Sequence, residues 1–417
     1  MSSISRLSQL NLGIESAPSI FLFEKKEKNY RGLMTKECGI EEGQVFVRIP
    51  LENTFYVKEE GDEGEMGQAL SWPIQLAYKL VEELKEKRQA SKWRTYFASL
   101  PTMEDFKADL VHNWDDACTS VFYEDDEGDE ELLYDSALIC ESIRNGKAYR
   151  EEAAKAYPHL AELMGYSLDV VQTRCCGYSK LDEMKKEVKY HIVAPGFDMM
   201  NHSPGVDSFF FEEEVYNDYG NDASRFLSCC HRGKGIEKDS EVFLNYAGKG
   251  ELSQEACFAY YGFIVDCVGY YQYFLPKREA SQYLLESLLH KDTVCVMQVF
   301  QAKKMSVSAA LIVSEDQINS FSSPLRVAAR ILASSGSRDE LQRMIEEDSD
   351  GVCYLDHEHE VRSNLKLQSL LEDKVEQMEL ALTHRKEDES KGGMVRCAFL
   401  RNNIVHLREM LSLLIYV

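Results

Sequence analysis

The 417-residue sequence predicts an α+β protein in which two strand-rich segments flank a helical insertion and a helical tail follows. Three patterns carry this expectation. Alternating apolar residues crowd the chain before Pro50 and return between about His191 and Tyr246; between these segments, and again from about Pro276, apolar residues recur at helical spacing. The implied division is a strand-rich domain over residues 1–275, with its helical insertion at about 65–170, and an all-α domain over 276–417.

The first segment opens on Ser19-Ile20-Phe21-Leu22-Phe23, passes a charged turn and resumes at Tyr30-Arg31-Gly32-Leu33-Met34. Val45, Val47 and Ile49 then alternate with Phe46 and Arg48 until Pro50, which cannot donate to a ladder, closes the run. From about Met66 the period changes. Leu76, Leu80 and Leu84 recur every four residues, and Ala77 and Val81 widen the stripe into the apolar face of an amphipathic helix. Helical character continues intermittently to about Val171, interrupted by an acidic run at 124–131 that reads as a solvated loop. In the second strand-rich segment, Phe209-Phe210-Phe211, Arg225-Phe226-Leu227 and Glu241-Val242-Phe243-Leu244-Asn245-Tyr246 are separated by turns bearing Pro, Gly, Asn and Asp. In the tail, Leu367, Leu371, Val375, Met378 and Leu382 keep helical spacing, as do Leu400, Ile404, Leu407, Leu411 and Leu414.

Composition excludes several functional classes. An apolar fraction of 44% with 11% aromatics supports a packed core rather than disorder, and no stretch approaches the roughly twenty apolar residues of a membrane span. The start, Met1-Ser2-Ser3-Ile4-Ser5-Arg6, lacks the apolar run of a secretory signal. It is Ser-rich like a plastid or other transit peptide, but Glu15 and the acidic continuation count against that, so a cytoplasmic or nuclear home is expected. A net charge of −24 disfavours direct nucleic-acid binding, which needs clustered Lys and Arg, and suits solubility and basic protein partners. The 12 cysteines fall as singletons or adjacent pairs such as Cys175-Cys176 and Cys229-Cys230; without a C-x-x-C pair, no metal site is expected.

No phosphate loop, dinucleotide fingerprint, nucleophile elbow or H-E-x-x-H is present. The informative segments are Tyr30-Arg31-Gly32-Leu33, then Pro195-Gly196-Phe197-Asp198-Met199-Met200-Asn201-His202-Ser203, then the strand ending at Tyr246, and finally Tyr260-Tyr261-Gly262-Phe263. In that order they resemble the SET-domain protein methyltransferases, most closely the Rubisco large-subunit methyltransferase-like class. That class has a G-x-G-L turn, a D-x-x-N-H-S segment, an E-x-V-x-x-x-Y strand and a closing Y-G-F. Ser91-Lys92-Trp93-Arg94-Thr95-Tyr96 with Leu100-Pro101 is similar to the signature of the family's helical insertion, and His359-Glu360 to part of its helical substrate-binding domain. Each piece alone is ordinary turn or packing chemistry; it is their order, with a helical insert in the right place, that points to the family.

The resemblance implies a SET-type catalytic domain, S-adenosylmethionine as cofactor, and methyl transfer to a lysine of a protein substrate, through a lysine-bearing or basic segment. It assigns Asn29, Arg31, Gly32 and Leu33 to the cofactor's methionine end, and Asp198, Met199, Met200, Asn201 and His202 to its amino-acid and adenine portions. Arg174 would pair with the cofactor carboxylate, where a planar fork gives two aligned bonds. Tyr246 and Tyr261 would be catalytic: Tyr246 orienting the amine and Tyr261 forming a second aromatic wall that attracts a cation. The chemistry is coherent with these assignments, since in-line displacement needs nitrogen, methyl carbon and sulfur in a row, and a buried aromatic channel favours the neutral amine.

The sequence departs from the family at three places. Tyr30 stands where G-x-G-L has its first glycine, Ala247 follows the strand-end tyrosine in place of glycine, and Ser253 or Gln254 replaces an asparagine before Y-G-F. The first bears on the shape of the turn and on cofactor affinity. Two alternatives stay open: a histidine methyltransferase on the same fold, and a catalytically silent SET-like scaffold acting through its helical domain.

Overall fold

The computed structural model describes residues 2–10, 12–16, 20–25, 30–59, 70–86, 92–114, 119, 137–181, 185–203, 206, 209–216, 224–231, 235–247, 252–264, 270–274, 310–314, 320, 323–334, 338–346, 352–384 and 391–414. The chain forms two compact units. One comprises Met1–Phe106 with Asn145–Leu252, the other Lys107–Arg144 with Ser253–Val417. The acidic run at 124–131 and the expected boundary at 275/276 lie outside the described residues.

Among the described residues, the first unit is built on three sheets. In the largest, β1 (Ser2–Arg6), β3 (Ile20–Lys25), β4 (Tyr30–Thr35), β12 (Glu241–Leu244) and β9 (Asn201–His202) lie in the order β1-β3-β4-β12-β9. The pairs are antiparallel except β12 with β9, which run parallel with Phe243 opposite Asn201 and Leu244 opposite His202. β4 therefore sits inside the sheet, paired on both sides, with Leu33 and Thr35 fully buried. The stretch expected to form a turn at Arg31-Gly32-Leu33 is the middle of this strand. Conversely, β12 stops at Leu244, and Asn245 ends it by accepting the N–H of Ala247 on its own Oδ1 (3.0 Å), which folds Tyr246 into a turn.

A second sheet has the order β10-β11-β5-β2, from β2 (Glu15–Ser16), β5 (Val45–Pro50), β10 (Phe209–Tyr216) and β11 (Ser224–His231). Phe46 and Val47, consecutive and so on opposite faces of β5, are both buried, which explains its run of bulky apolar residues. A third sheet joins β6 (Phe55–Lys58), β8 (Glu187–Val193) and β7 (Cys176–Leu181). The helices of this unit include α1 (Trp72–Glu86), α2 (Arg94–Ser99) and α5 (Ala161–Arg174), with α3 (Met103–Asp109) and α4 (Ala137–Ala156) passing from one unit to the other along the chain. The predicted stripe on α1 is its core face: Leu76, Ala77, Leu80 and Val81 are buried, Leu84 partly so, and the helix packs on α5 and β6.

The second unit is mostly helical: α6 (Gln254–Tyr261), α7 (Pro324–Ala333), α8 (Arg338–Glu346), α9 (His357–His384) and α10 (Lys391–Leu413). It also holds an antiparallel pair, β13 (Tyr270–Phe274) with β14 (Ala310–Ser314), of which β14 lies inside the 276–417 region expected to be all-α. Ser253, one of the two residues read at the family's asparagine position, caps α6 by accepting the Ala256 N–H (3.0 Å). Gly262 ends that helix at φ 73°, and a Cβ there would lie 2.4 Å from the Asp109 carbonyl oxygen, so the glycine of Tyr-Gly-Phe is required by backbone geometry. The core gathers Phe258, Leu367, Leu371, Met378, Phe399, Leu400 and Leu407, among others, with Phe258 stacked on Phe399 at 4.2 Å between ring centroids. Both predicted tail stripes face this core.

A charged cluster lies within the same unit. Glu360 of α9 accepts from Arg330 of α7 at 2.6 and 2.8 Å and from Arg326 at 3.1 Å. Arg326 also donates to Asn364 Oδ1 (2.8 Å), Arg330 to the Val352 carbonyl (2.9 Å), and the His359 Nε2 lies 2.9 Å from the Arg330 carbonyl. Burial holds the His359 imidazole below its ordinary pKa, so it stays neutral and Nε2–H is the donor in that contact.

Candidate active site

The site is assembled where β9, β4 and β12 lie side by side. Asn201 donates its side-chain amide to the Arg31 carbonyl (2.6 Å) and to Glu241 Oε1 (2.8 Å). The Tyr30 hydroxyl donates to the same Glu241 oxygen (2.7 Å). Gly32 leaves the space this needs: a Cβ there would fall 2.7 Å from Asn201 Nδ2, 2.8 Å from Glu241 Oε1 and 2.9 Å from Phe23 Cε1. The absent side chain thus serves a crossing of neighbouring side chains over a strand. Gly32→Ala is expected to lower stability by about 1–3 kcal/mol through overpacking, measured by urea unfolding, with wild-type stability as the contrary result.

Asn201 leads into His202, whose ring packs beside Tyr246 at 5.2 Å between centroids. The Tyr246 backbone N–H donates to His202 Nδ1 (3.2 Å). Burial lowers the His202 pKa, more than the backbone contact at Leu244 raises it, so the ring is neutral with its proton on Nε2 and Nδ1 free to accept. The Tyr246 hydroxyl donates to the Met200 carbonyl (2.8 Å). Both ends of Tyr246 are therefore fastened to the 200–202 segment.

The segment itself is held from behind. Asp198 is buried, accepting the Tyr96 hydroxyl (2.5 Å) on Oδ2 and the Gly196 N–H (3.0 Å) on Oδ1. Burial pushes the Asp198 carboxyl up to about 6, against the opposing pull of Arg174 and of the Tyr96 hydrogen bond. Arg174, at the end of α5, donates through Nη1 to the Asp198 carbonyl (2.8 Å) and lies 3.7 Å from Met199 Sδ, while its buried Nε has no hydrogen-bond partner among the described residues. Arg31 donates to Glu24 (3.1 Å) and to the Ser99 carbonyl at the end of α2 (2.9 Å), tying β4 to the helical insertion.

Of the residues expected at a site, the structure gathers Arg31, Gly32, Arg174, Asp198, Met199, Met200, Asn201, His202 and Tyr246 within the first unit. Leu33 is also there, but its side chain is fully buried and points to the sheet face opposite Gly32. Tyr261 belongs to the second unit, at the C-terminus of α6, and Asn29 lies outside the described residues. Two contributors escaped sequence reasoning. Glu241 opens an otherwise apolar strand and was legible as an acidic exception there; Tyr96 lies inside the insertion signature, with nothing in its spacing to link it to Asp198.

No protein-family model matches the chain, and no curated protein matches it by sequence. Solved structures do. The SET domain of LSMT bound to lysine and AdoHcy aligns over 97% of this chain and 88% of its own, at TM-score 0.57 and 14% identity. Rubisco LSMT bound to AdoMet aligns over 97% and 90% at TM-score 0.56, and Rubisco LSMT bound to sinefungin and monomethyllysine over 97% and 89% at 0.56, both 14% identical. At that identity the likeness defines architecture: the chain has a SET-domain methyltransferase fold. Within it, the mixed helix-and-strand architecture and helical C-terminal region match the Rubisco LSMT structures. Among the described residues no helix is long and apolar enough to cross a membrane.

Proposed function

We propose that this protein is an S-adenosylmethionine-dependent protein-lysine N-methyltransferase. The observation that carries the reading is the parallel pairing of β9 with β12, which sets Asn201 opposite Phe243 and brings His202 against Tyr246. Solved structures of the same fold bound to AdoMet, and to lysine or monomethyllysine, support the cofactor and the acceptor.

The residues present fit the cofactor. The buried Arg174 Nε, without a partner among the described residues, suits a carboxylate, since a buried donor left unmade is costly. Asn201, with both amide hydrogens committed to β4 and Glu241, presents its Oδ1 as an acceptor for an ammonium group. Neutral His202 and the backbone at 198–200 line the adenine end. When bound, S-adenosylmethionine supplies a methyl group activated by its sulfonium. The Tyr246 hydroxyl, its own hydrogen given to Met200, offers lone pairs to the amine's N–H and to the polarised methyl C–H groups. The target amine must arrive neutral, which a desolvated aromatic environment favours. With a net charge of −24, the protein suits a lysine-bearing, basic segment of a partner protein.

Incubation with isotopically labelled methyl donor and cell extract, followed by mass spectrometry, is expected to yield methyl-lysine in at least one protein. Label no higher than with the Tyr246→Phe variant removes the reading. Asn201→Ala is expected to weaken cofactor binding by about 1–3 kcal/mol, read by calorimetry, because it deletes a half-buried polar partner. Unchanged affinity places the cofactor elsewhere.

A further inference from the structure

We infer that Tyr30 is a positioning residue for the cofactor's amino-acid end, acting by anchoring the Glu241 carboxylate that fixes the side-chain amide of Asn201. The inference rests on the methyltransferase reading above and concerns the position at which the chain departs from the G-x-G-L pattern.

Tyr30, Glu241 and Asn201 come from three adjacent strands, β4, β12 and β9, and meet at one carboxylate oxygen. The amide of Asn201 faces two acceptors, the Arg31 carbonyl and Glu241 Oε1. A flipped amide would set its own oxygen against both, so the side chain has one stable orientation, with Oδ1 directed away from them. That orientation is only as well defined as Glu241. Its side chain has three rotatable bonds, and the Tyr30 hydroxyl holds the oxygen that Asn201 uses. Burial, reinforced by the neighbouring Glu241 charge, raises the Tyr30 pKa, so the phenol stays protonated and remains a donor throughout the physiological range. The ring is braced by Phe23 at 5.8 Å between centroids. Gly32 keeps open the space where Asn201 and Glu241 meet over β4. The tyrosine thus compensates for the glycine it replaces: it tightens the acceptor that an ammonium group would meet.

Calorimetric titration of the full chain with two probes tests this. S-adenosylhomocysteine carries the amino-acid end; 5′-methylthioadenosine has the same adenosine and thioether without it. Tyr30→Phe is expected to weaken S-adenosylhomocysteine binding about five- to tenfold and to leave 5′-methylthioadenosine within about twofold, with a modest fall in melting temperature. A purely structural hydroxyl would weaken both probes together. Equal weakening of the two, or unaltered or tighter S-adenosylhomocysteine binding, overturns the role of Tyr30 alone. A wild-type chain that binds neither probe overturns the methyltransferase reading and this inference with it.

Discussion

Tyr246→Phe is expected to cut methyl transfer by roughly a hundredfold or more while S-adenosylmethionine still binds, because it deletes one preorganised polar atom and no hydrocarbon. The hydroxyl's hydrogen is spent on the Met200 carbonyl and the backbone N–H on His202, so ring and backbone of Tyr246 are fixed before any ligand arrives. An oxygen held in this way has its lone pairs already directed and reorganises little during transfer, which is why its removal falls on kcat more than on KM. The same substitution breaks a hydrogen bond worth about 0.5–1.5 kcal/mol, so a modest fall in melting temperature accompanies the kinetic loss. Single-turnover transfer with a labelled donor separates the two effects. Wild-type turnover in the variant leaves the hydroxyl with a packing role only, and the assigned chemistry fails.

How much of this was legible in the sequence depended on whether the pattern was local. β5 was read correctly because branched residues at Val45, Val47 and Ile49 alternate along it, and α1 because its apolar residues return every three or four positions. β12 was read two residues too long: Tyr246 has strand character, but the Asn245 side chain captures the next backbone N–H and turns the chain. β7 and β8 begin well before His191, their polar and exposed residues hiding the alternation, and β14 is a five-residue apolar run too short to show a period. The candidate site was legible only through the order of its motifs. Its contacts span large sequence separations (46 residues for Tyr246 with Met200, 211 for Tyr30 with Glu241), and no spacing rule reaches between segments so far apart in the chain. The departure at Tyr30 read as a loss from a turn; in the sheet it is a hydrogen-bonded member of the cluster.

Glu360→Gln is expected to destabilise the helical unit by about 3–5 kcal/mol, the largest stability effect of any substitution considered, because it leaves two buried guanidinium groups without their shared anion. Arg330 is 0% exposed and the side chain of Glu360 only 4%, so solvent cannot replace the lost charge. Salt should rescue little, since screening acts weakly on a buried pair. The effect should also depend on pH in a stated direction. Burial alone would raise the Glu360 pKa, but its hydrogen bonds and charge pairing with Arg330, and the charge of Arg326, hold it below the ordinary value of 4.5. A carboxylate depressed on folding contributes stability above its unfolded pKa and loses it as pH falls through the folded one. The gap between wild type and variant should therefore be full near neutrality and narrow as the pH falls below about 4.5. Urea unfolding at neutral and acid pH measures both quantities. A variant as stable as wild type near neutrality, or a gap that widens in acid, would mean that the charge on Glu360 does not hold α7 to α9 and that packing of the surrounding apolar residues suffices.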